Sequence, residues 1–241
     1  MRKLLSILGI LGVLGFGMYL WKNRGDDVIV QQFETAEQIQ RRKDIKMAEK
    51  LQVITATQSG IYTIKVYRLE SGENYGFDND KIMPARSAVK VPIIMTAVKM
   101  GLDKNYDDLL MRMGKNSDNK AQDKIVNIIG VKNLNISNYL ENVTTANNLV
   151  DIWRRIYLEI DVYEKYFIDS IYEDRIALGI PIGVKLIHKV GTDTNIWNDS
   201  GIVMSQKPFI LVILNEGIKR EEAEKMVPAL TKIVWDYETS L

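Results

Sequence analysis

Apolar residues recur along the chain with two spacings, and these spacings predict which segments are helices and which are strands. Apolar positions three and four residues apart fall on one face of a helix, whereas apolar positions that alternate with polar ones are typical of a strand. The predicted helices cover residues 34–52, 87–100, 107–113, 119–129 and 221–238. A further helix is predicted to begin after a cap at Thr144 or Thr145 and to run to about residue 160. The predicted strands cover residues 61–69, 74–77, 184–192, 201–205 and 209–215.

The order of these elements predicts the architecture. One helix and two strands come first, helices occupy the middle of the chain, and three strands with a closing helix come last. An antiparallel sheet built from both chain ends, with a helical segment inserted between them, satisfies this order. We therefore predict an α/β (α+β) fold, in which helices flank the antiparallel sheet and the inserted helices form a lobe of their own.

The first two dozen residues differ from the rest. Residues 4–21 are an uncharged apolar run that follows Arg2 and Lys3. This run approaches the length that a transmembrane helix needs. A secretory signal peptide would need a small-x-small cleavage site, and no convincing one stands before Lys22. The run therefore predicts a transmembrane helix that tethers the protein to a membrane.

These features divide the chain into three parts. Residues 1–24 are predicted to be a membrane anchor or uncleaved signal, and residues 25–33 a short linker. The roughly 210 residues that remain, 34–241, suit one large domain or two closely packed lobes.

The composition limits the possible chemistry. The chain has 241 residues, a formal net charge of +1, no cysteine, and a single histidine, His188. The small net charge gives no electrostatic reason to expect a nucleic-acid partner. Without cysteine there are no disulfides, no thiol catalysis and no cysteine-based zinc site, and one histidine cannot build a multi-histidine metal site. We expect no metal, no organic cofactor and a monomer, and a serine enzyme here needs a base other than histidine unless His188 serves it.

Three short motifs supply candidate chemistry in a fixed order. They are Ser87-Ala88-Val89-Lys90, Ser117-Asp118-Asn119 and Lys189-Val190-Gly191. On a helix, Ser87 and Lys90 lie about one turn apart on the same face, so the amine can take the hydroxyl proton and activate the serine. Each motif alone has a simpler explanation, such as a surface pair, a helix cap or an exposed strand residue. All three in order indicate an acyl-transfer site.

The motifs and their surroundings resemble the penicillin-recognising serine hydrolases, and the class A β-lactamases in particular. The likeness extends over nearly all of residues 40–241. The segments that carry it, besides the second motif itself, are residues 58–61, 85–92, 128–130, 144–146, 188–192 and 198–203. The resemblance implies the β-lactamase/transpeptidase-like fold.

The resemblance also implies roles for the motif residues. Ser87 would be the acylated nucleophile, Lys90 its general base, and Ser117 the group that passes a proton to the leaving nitrogen. Asn119 would bind the amide side chain of the substrate and help to fix Lys90. Lys189 would hold positive potential near the substrate carboxylate.

The third motif would complete the substrate site. Gly191 and Thr192 would border the substrate, and the backbone N–H groups of Ser87 and Thr192 would form the oxyanion hole, which is usually a large electrostatic contribution to catalysis.

The chain departs from the class A pattern in three places. The stretch between Gly130 and Thr144 is far shorter than a class A omega loop and lacks its Glu-x-x-Leu-Asn, so Glu141 is the only nearby carboxylate that could activate the deacylating water. Val190 replaces the usual hydroxyl residue, for which Thr192 is a partial substitute. The segment between the first two motif serines is also short, which predicts a trimmed helical lobe.

Some polar residues receive no role. His188 is expected to pack within its strand, and Glu141 is as consistent with a solvated loop charge as with a catalyst. The charged residues 173–175 fit either an exposed cluster or the rim of the pocket.

Three functions are compatible with these features. The first is a β-lactamase that hydrolyses β-lactams through an acyl-enzyme on Ser87. The second is a penicillin-binding or D,D-peptidase-type enzyme that acts on D-Ala-D-Ala-like peptides of peptidoglycan and releases β-lactams slowly. The third is a catalytically silent, membrane-tethered binding domain. The enzymatic functions predict that the domain lies outside the cytoplasm, in the cell envelope.

Overall fold

The computed structural model describes residues 34–134 and 141–241. The predicted membrane anchor and linker lie outside these ranges. None of the described helices is long and apolar enough to cross a membrane. Residues 34–46 belong to a separate compact unit whose described part is the first half of a helix. The second unit, Met47–Leu241, contains all three motifs.

The helices and strands follow the predicted order. The helices are α1 (Ala36–Thr55), α2 (Lys90–Lys99), α3 (Asp103–Lys115), α4 (Asn119–Ile129), α5 (Ala146–Leu158), α6 (Ile160–Phe167), α7 (Ile176–Gly179) and α8 (Arg220–Glu238). The strands are β1 (Ile61–Arg68), β2 (Asn74–Phe77), β3 (Met83–Pro84), β4 (Val143–Thr144), β5 (Lys185–Asp193), β6 (Ile196–Met204) and β7 (Phe209–Glu216). Short 3-10 turns cover Arg86–Val89 and Val131–Asn133.

The main sheet has five strands in the order β2-β1-β7-β6-β5, and each neighbouring pair is antiparallel. Strands from the two ends of the chain meet where β1 pairs with β7. The predicted α/β architecture with an antiparallel sheet is therefore confirmed. Strand β5, which contains the third motif, lies at one edge of the sheet. Its outer side is therefore not paired with another strand of the sheet.

Each face of the sheet carries its own apolar core. One core joins strands β5–β7 to helices α2–α6, and its largest buried side chain is Trp153, whose Nε1 donates to Ser200 Oγ at 3.0 Å. The other core joins the opposite face to α7, α8 and the end of α1. Strand β7 lies between them and is apolar along nearly its whole length, as expected for a strand covered on both faces.

Several predicted elements have different boundaries in the structure, among them α3, which begins at Asp103 rather than 107, and the sequence did not predict β3, β4 or α7. The single helix expected over 87–100 is a 3-10 turn followed by α2. The helix expected to reach about 160 is broken at Glu159, which has non-helical backbone angles, so α5 and α6 are separate helices. Strand β6 begins at Ile196 rather than 201, because its polar residues are buried and hydrogen-bonded rather than exposed.

The helical lobe depends on a close contact between α3 and α6. Gly114 of α3 lies directly against the backbone of Tyr166, and a Cβ at this position would overlap the Tyr166 carbonyl oxygen. We expect Gly114→Ala to lower the free energy of unfolding by about 2 kcal/mol or more, because neither backbone can move without disturbing a packed core. Thermal or urea denaturation measures this loss. Asn105→Ala, at an exposed position of the same helix, is the control and should change stability little; equal effects of the two variants would contradict the packing interpretation.

Candidate active site

The first motif lies on the tight turn that leads into α2. Ser87 belongs to the 3-10 turn Arg86–Val89, and Arg86 has a positive φ of 51°. Positive φ is uncommon for a residue other than glycine and concentrates at functional sites. The turn brings Lys90 Nζ to 2.9 Å from Ser87 Oγ. The spacing of three residues therefore gives the proton-transfer contact expected from the sequence, on a 3-10 turn instead of an α-helix.

Lys90 is buried among polar partners. Its side chain is 1% exposed, and Nζ also donates to Asn119 Oδ1 at 2.8 Å. Burial lowers the pKa of Lys90 to about 8, although the nearby carboxylates Asp118 and Asp123 act in the opposite direction. An amine with this pKa is partly unprotonated near neutral pH and is able to accept a proton.

The second motif is both a helix cap and part of the site. Asp118 is the N-cap of α4, where its carboxylate accepts from the Ala121 N–H at 3.1 Å and pairs with Arg112. Ser117, just before the cap, has a positive φ of 58°. With the cap fixed, Asn119 reaches Lys90 from the first turn of the helix. The two sequence interpretations of this motif therefore apply to different residues of it.

The third motif reaches the second one from strand β5. Lys189 Nζ donates to Ser117 Oγ at 2.9 Å, and the lysine side chain is 1% exposed. Burial and the charges of Lys90 and Arg175 lower the pKa of Lys189 to about 7, against the opposing effect of Asp199. Two hydroxyl groups and two lysine amines thus lie in one site, and each amine is within hydrogen-bond distance of one hydroxyl.

Close backbone packing sets the nucleophile turn, Arg86–Val89 with the expected nucleophile Ser87, against β5. A Cβ at Gly191 would lie 2.5 Å from the carbonyl oxygen of Ala85, so the strand and the chain just before the turn approach as closely as glycine allows. On the neighbouring strand, Asn198 Nδ2 donates to the Pro84 carbonyl at 2.7 Å. Two contacts therefore hold the Ser87 turn beside the part of β5 that contains Thr192.

Arg175 is a site component that the sequence did not reveal. Its guanidinium group is fully buried and lies over the Trp197 ring at 3.7 Å. It donates to Thr192 Oγ1 at 2.6 Å, to the Asn198 carbonyl at 2.6 Å and to the Gly191 carbonyl at 3.3 Å. The open alternatives for residues 173–175 are thus resolved: Arg175 is internal, while Glu173 and Asp174 have roughly half-exposed side chains. No local pattern marks this arginine, because all three carbonyl and hydroxyl partners come from β5 and β6.

His188 packs within its strand, as expected, but it is not a passive residue. It is fully buried, and its Nδ1 lies 2.9 Å from Asp199 Oδ1. Burial alone would lower the pKa of His188, but Asp199 and Glu173 outweigh it and raise the pKa to about 9. A buried charged pair therefore lies on the far side of the strand from the Lys189 side chain.

The structure describes two of the positions where the sequence departs from the class A pattern. Val190 is buried and has no hydroxyl to offer. Glu141 is exposed, next to Asn142, which has a positive φ of 53°. In the described part of the chain, no carboxylate forms a hydrogen bond or an ion pair with Ser87 or Lys90.

A cavity of about 760 Å³ borders the nucleophile turn. Ala88 and Val89 of the turn, Pro92 and Met95 of α2, and Leu149 of α5 contribute to its lining. The motif residues Ser87, Lys90 and Ser117 are not part of that lining. Within the described ranges, no group of histidine, cysteine, aspartate or glutamate side chains is arranged to hold a metal ion.

The Gly191 contact yields a prediction about reactivity. Gly191→Ala inserts a Cβ at 2.5 Å from the Ala85 carbonyl and must push the nucleophile turn away from β5. We expect acylation of Ser87 to slow by about ten- to a hundredfold, because small misplacements of reacting groups have effects of that size. Stopped-flow or quenched mass spectrometry with a fluorophosphonate probe measures the rate. Gly183→Ala is the control, since that glycine has a positive φ of 91° but open space around it; it should weaken folding without slowing acylation.

Comparisons with known proteins identify a family and a fold. The β-lactamase enzyme family is matched over residues 98–238, a range that includes the second and third motifs and begins after the first. No curated protein matches the chain.

Solved structures share the fold. PBP-A is 17% identical, with 81% of this chain and 97% of that chain covered and a TM-score of 0.73. An acyl-enzyme complex of a PBP-A mutant with penicillin G is 16% identical, with the same coverage and TM-score. A β-lactamase from Chitinophaga pinensis is 18% identical, with 80% and 99% covered and a TM-score of 0.70. Since the family match spans more than half of the sequence, the chain belongs to the β-lactamase enzyme family.

Proposed function

We propose that the domain is a serine hydrolase that forms an acyl-enzyme on Ser87 with a β-lactam or a D-Ala-D-Ala-like peptide. The observation that carries this proposal is the contact of 2.9 Å between Ser87 Oγ and Nζ of the buried Lys90. A buried amine with a lowered pKa beside a serine hydroxyl is the arrangement that converts serine into a nucleophile without histidine.

Acylation starts with a proton transfer. Neutral Lys90 takes the Ser87 proton while Oγ attacks the substrate carbonyl, and a tetrahedral oxyanion forms. The backbone N–H groups of Ser87 and Thr192 stabilise this oxyanion. The packing of Gly191 against Ala85 supports this role, because it sets the turn and the strand side by side.

Breakdown of the tetrahedral intermediate requires a proton on the leaving nitrogen. Ser117 donates it, and Lys189, at 2.9 Å from Ser117 Oγ, supports the hydroxyl as it loses the proton. In a β-lactam the C–N bond of the ring opens, and in a peptide the terminal residue leaves as an amine. The acyl group then remains on Ser87.

Substrate recognition uses the remaining polar groups. Asn119 directs its oxygen to Lys90, which leaves its amide N–H groups to donate to the acyl-side amide of the substrate. The substrate carboxylate lies at the open edge of β5, where Lys189 approaches from one face of the strand and Thr192 from the other. Arg175 donates to the Thr192 hydroxyl at 2.6 Å and adds positive charge, so Thr192 and Arg175 replace the hydroxyl that Val190 does not have.

Release of the acyl group distinguishes two forms of this function. Water activation needs a base, and Glu141 is exposed and forms no hydrogen bond or ion pair with Ser87 or Lys90 in the described structure. This favours slow release, as in a penicillin-binding or D,D-peptidase-type enzyme; a structurally similar PBP-A mutant has been solved as an acyl-enzyme complex with penicillin G. Membership of the β-lactamase enzyme family favours the second candidate, a β-lactamase that hydrolyses the drug. In either form, the apolar run 4–21 would tether the domain to the membrane, outside the cytoplasm.

Intact-mass spectrometry tests the proposal. The purified protein is mixed with benzylpenicillin and sampled from seconds to hours, with Ser87→Ala as the control. We expect a long-lived adduct on Ser87 and none on the variant. A transient adduct with accumulating hydrolysed drug would identify a β-lactamase instead, and Glu141→Gln would then show whether Glu141 activates the water. If neither benzylpenicillin nor a fluorophosphonate probe forms an adduct, the protein is not a serine hydrolase of this kind, and the catalytically silent binding domain is the function that remains.

The pH dependence of acylation tests the role of Lys90. Only the neutral amine accepts a proton, so the acylation rate should rise with pH, by about tenfold per unit well below the pKa, and level off between about pH 8 and pH 9. Quenched mass spectrometry between pH 5 and pH 10 gives this profile. Lys90→Arg stays protonated throughout this range and should acylate very slowly with no such inflection. A parent profile without an inflection below about 9 would exclude Lys90 as the free base, because an unperturbed lysine has a pKa of about 10.4.

A further inference from the structure

A buried polar network lies behind the third motif, on the face of β5 opposite to Lys189. His188 and Thr192 project from the same face of the strand, because side chains alternate along it. Asp199 is directly opposite Val190 in the register of β5 and β6, and Trp197 is opposite Thr192. The network therefore runs along the strand towards the expected oxyanion hole.

Asp199 is the centre of this network. Its carboxylate is fully buried, with His188 Nδ1 at 2.9 Å from one oxygen and 3.1 Å from the other. Its Oδ2 also accepts from the backbone N–H of Ile176 at 3.2 Å. The His188–Asp199 pair therefore fastens the start of α7 to the sheet.

Arg175 directly precedes Ile176, the residue that Asp199 holds. It is the side chain that holds the Thr192 hydroxyl and the carbonyl oxygens of Gly191 and Asn198. A chain of contacts thus leads from His188 through Asp199, Ile176 and Arg175 to Thr192. In the described structure, His188 forms no hydrogen bond or ion pair with Ser87, Lys90 or Ser117, so it acts on the reaction through other residues.

We propose that His188 is a positioning residue for acyl transfer: paired with Asp199, it holds the Arg175 segment on β5 and β6 and thereby fixes the Thr192 edge that faces Ser87. This inference rests on the proposed function. Neither the motifs nor the family match assigns a role to this histidine. Its effect should be greatest on acylation, where the Thr192 N–H faces the developing oxyanion.

The pair of His188 with Asp199, which holds the Arg175 segment, is sensitive to pH because His188 carries a charge. Asp199 of β6 and Glu173, whose Oε1 lies 3.5 Å from Nε2, face the imidazole, and Arg175 lies close to Asp199. On β5 itself, Lys189 points to the other face and Lys185 pairs with Glu164. The pKa of His188 is raised to about 9, above that of an unfolded histidine. Its stabilising contribution is therefore complete below about pH 6.5 and is lost as the pH rises through about 9.

His188→Asn is the informative variant, because the amide can donate to Asp199 in place of Nδ1 but carries no charge. We expect it to slow acylation of Ser87 by about ten- to a hundredfold and to speed hydrogen exchange of the Ile176 amide. Above pH 9 the parent should lose acylation rate, whereas the variant should show no such step. A matched control is Glu238→Gln, which breaks the buried bidentate pair of Glu238 with Arg68 on another part of the domain; it should lower the melting temperature but change neither acylation nor Ile176 exchange.

Several results would overturn the proposal. One is a His188→Asn protein that loses stability like the control yet acylates at the parent rate at every pH. If this variant does not fold, NMR of the parent decides. Hydrogen exchange of the Ile176 amide rises with pH in any case, because exchange is base-catalysed. If it shows no further increase as His188 loses its proton, the His188–Asp199 pair does not hold this segment and the proposal is rejected. If the parent is never acylated, the proposed function fails. Two NMR measurements on His188→Asn, the exchange rate of the Ile176 amide and the chemical shift of the Thr192 amide, then decide separately whether His188 positions the Thr192 edge of β5.

Discussion

The candidate active site depends on the burial of two lysine side chains among polar groups. Lys90 and Lys189 are each about 1% exposed, and burial lowers the pKa of both amines. A shift of one pKa unit corresponds to about 1.4 kcal/mol, so protonating both amines would consume a substantial part of the roughly 5–15 kcal/mol that stabilises a typical domain. Burial therefore disfavours the state in which both amines are charged. Lys90 is able to act as a base in those molecules in which its amine is neutral.

The surrounding structure is organised to hold these amines in place. Each lysine meets a serine, and both serines lie where the backbone is unusual: Arg86, next to Ser87, and Ser117 itself have positive φ. Such conformations cost on the order of 1–3 kcal/mol each and persist only where neighbouring contacts fix them. Here the contacts are the Asp118 cap of α4 and the packing of β5 against the nucleophile turn. The site thus uses the stability of the two apolar cores to maintain a locally unfavourable geometry.

The sequence predicted those elements whose ends carry chemical signals. Helix α4 has the predicted bounds because Asp118 caps its start and Gly130, with φ of 76°, follows its end. The first half of β6 was not predicted, because Asn198 and Asp199 read as exposed polar residues, although Pro84 and His188 satisfy them from distant parts of the chain. The motif residues followed from family resemblance, and the structure brings the three motifs together. Arg175 could not be found in this way, because its partners become neighbours only when the sheet forms.

Acylation and deacylation place different demands on this framework. The groups proposed for acylation lie on the nucleophile turn, at the start of α4 and on β5, and hydrogen bonds join them. Deacylation needs a water held beside a base, and Glu141 is exposed, just before β4. Groups that are preorganised by packing act at little entropic cost, whereas an exposed carboxylate must first be ordered. The same architecture therefore favours rapid attack by Ser87 over rapid release of the acyl group. The lifetime of the acyl-enzyme is the property that separates the two forms of the proposed function, a penicillin-binding or D,D-peptidase-type enzyme and a β-lactamase.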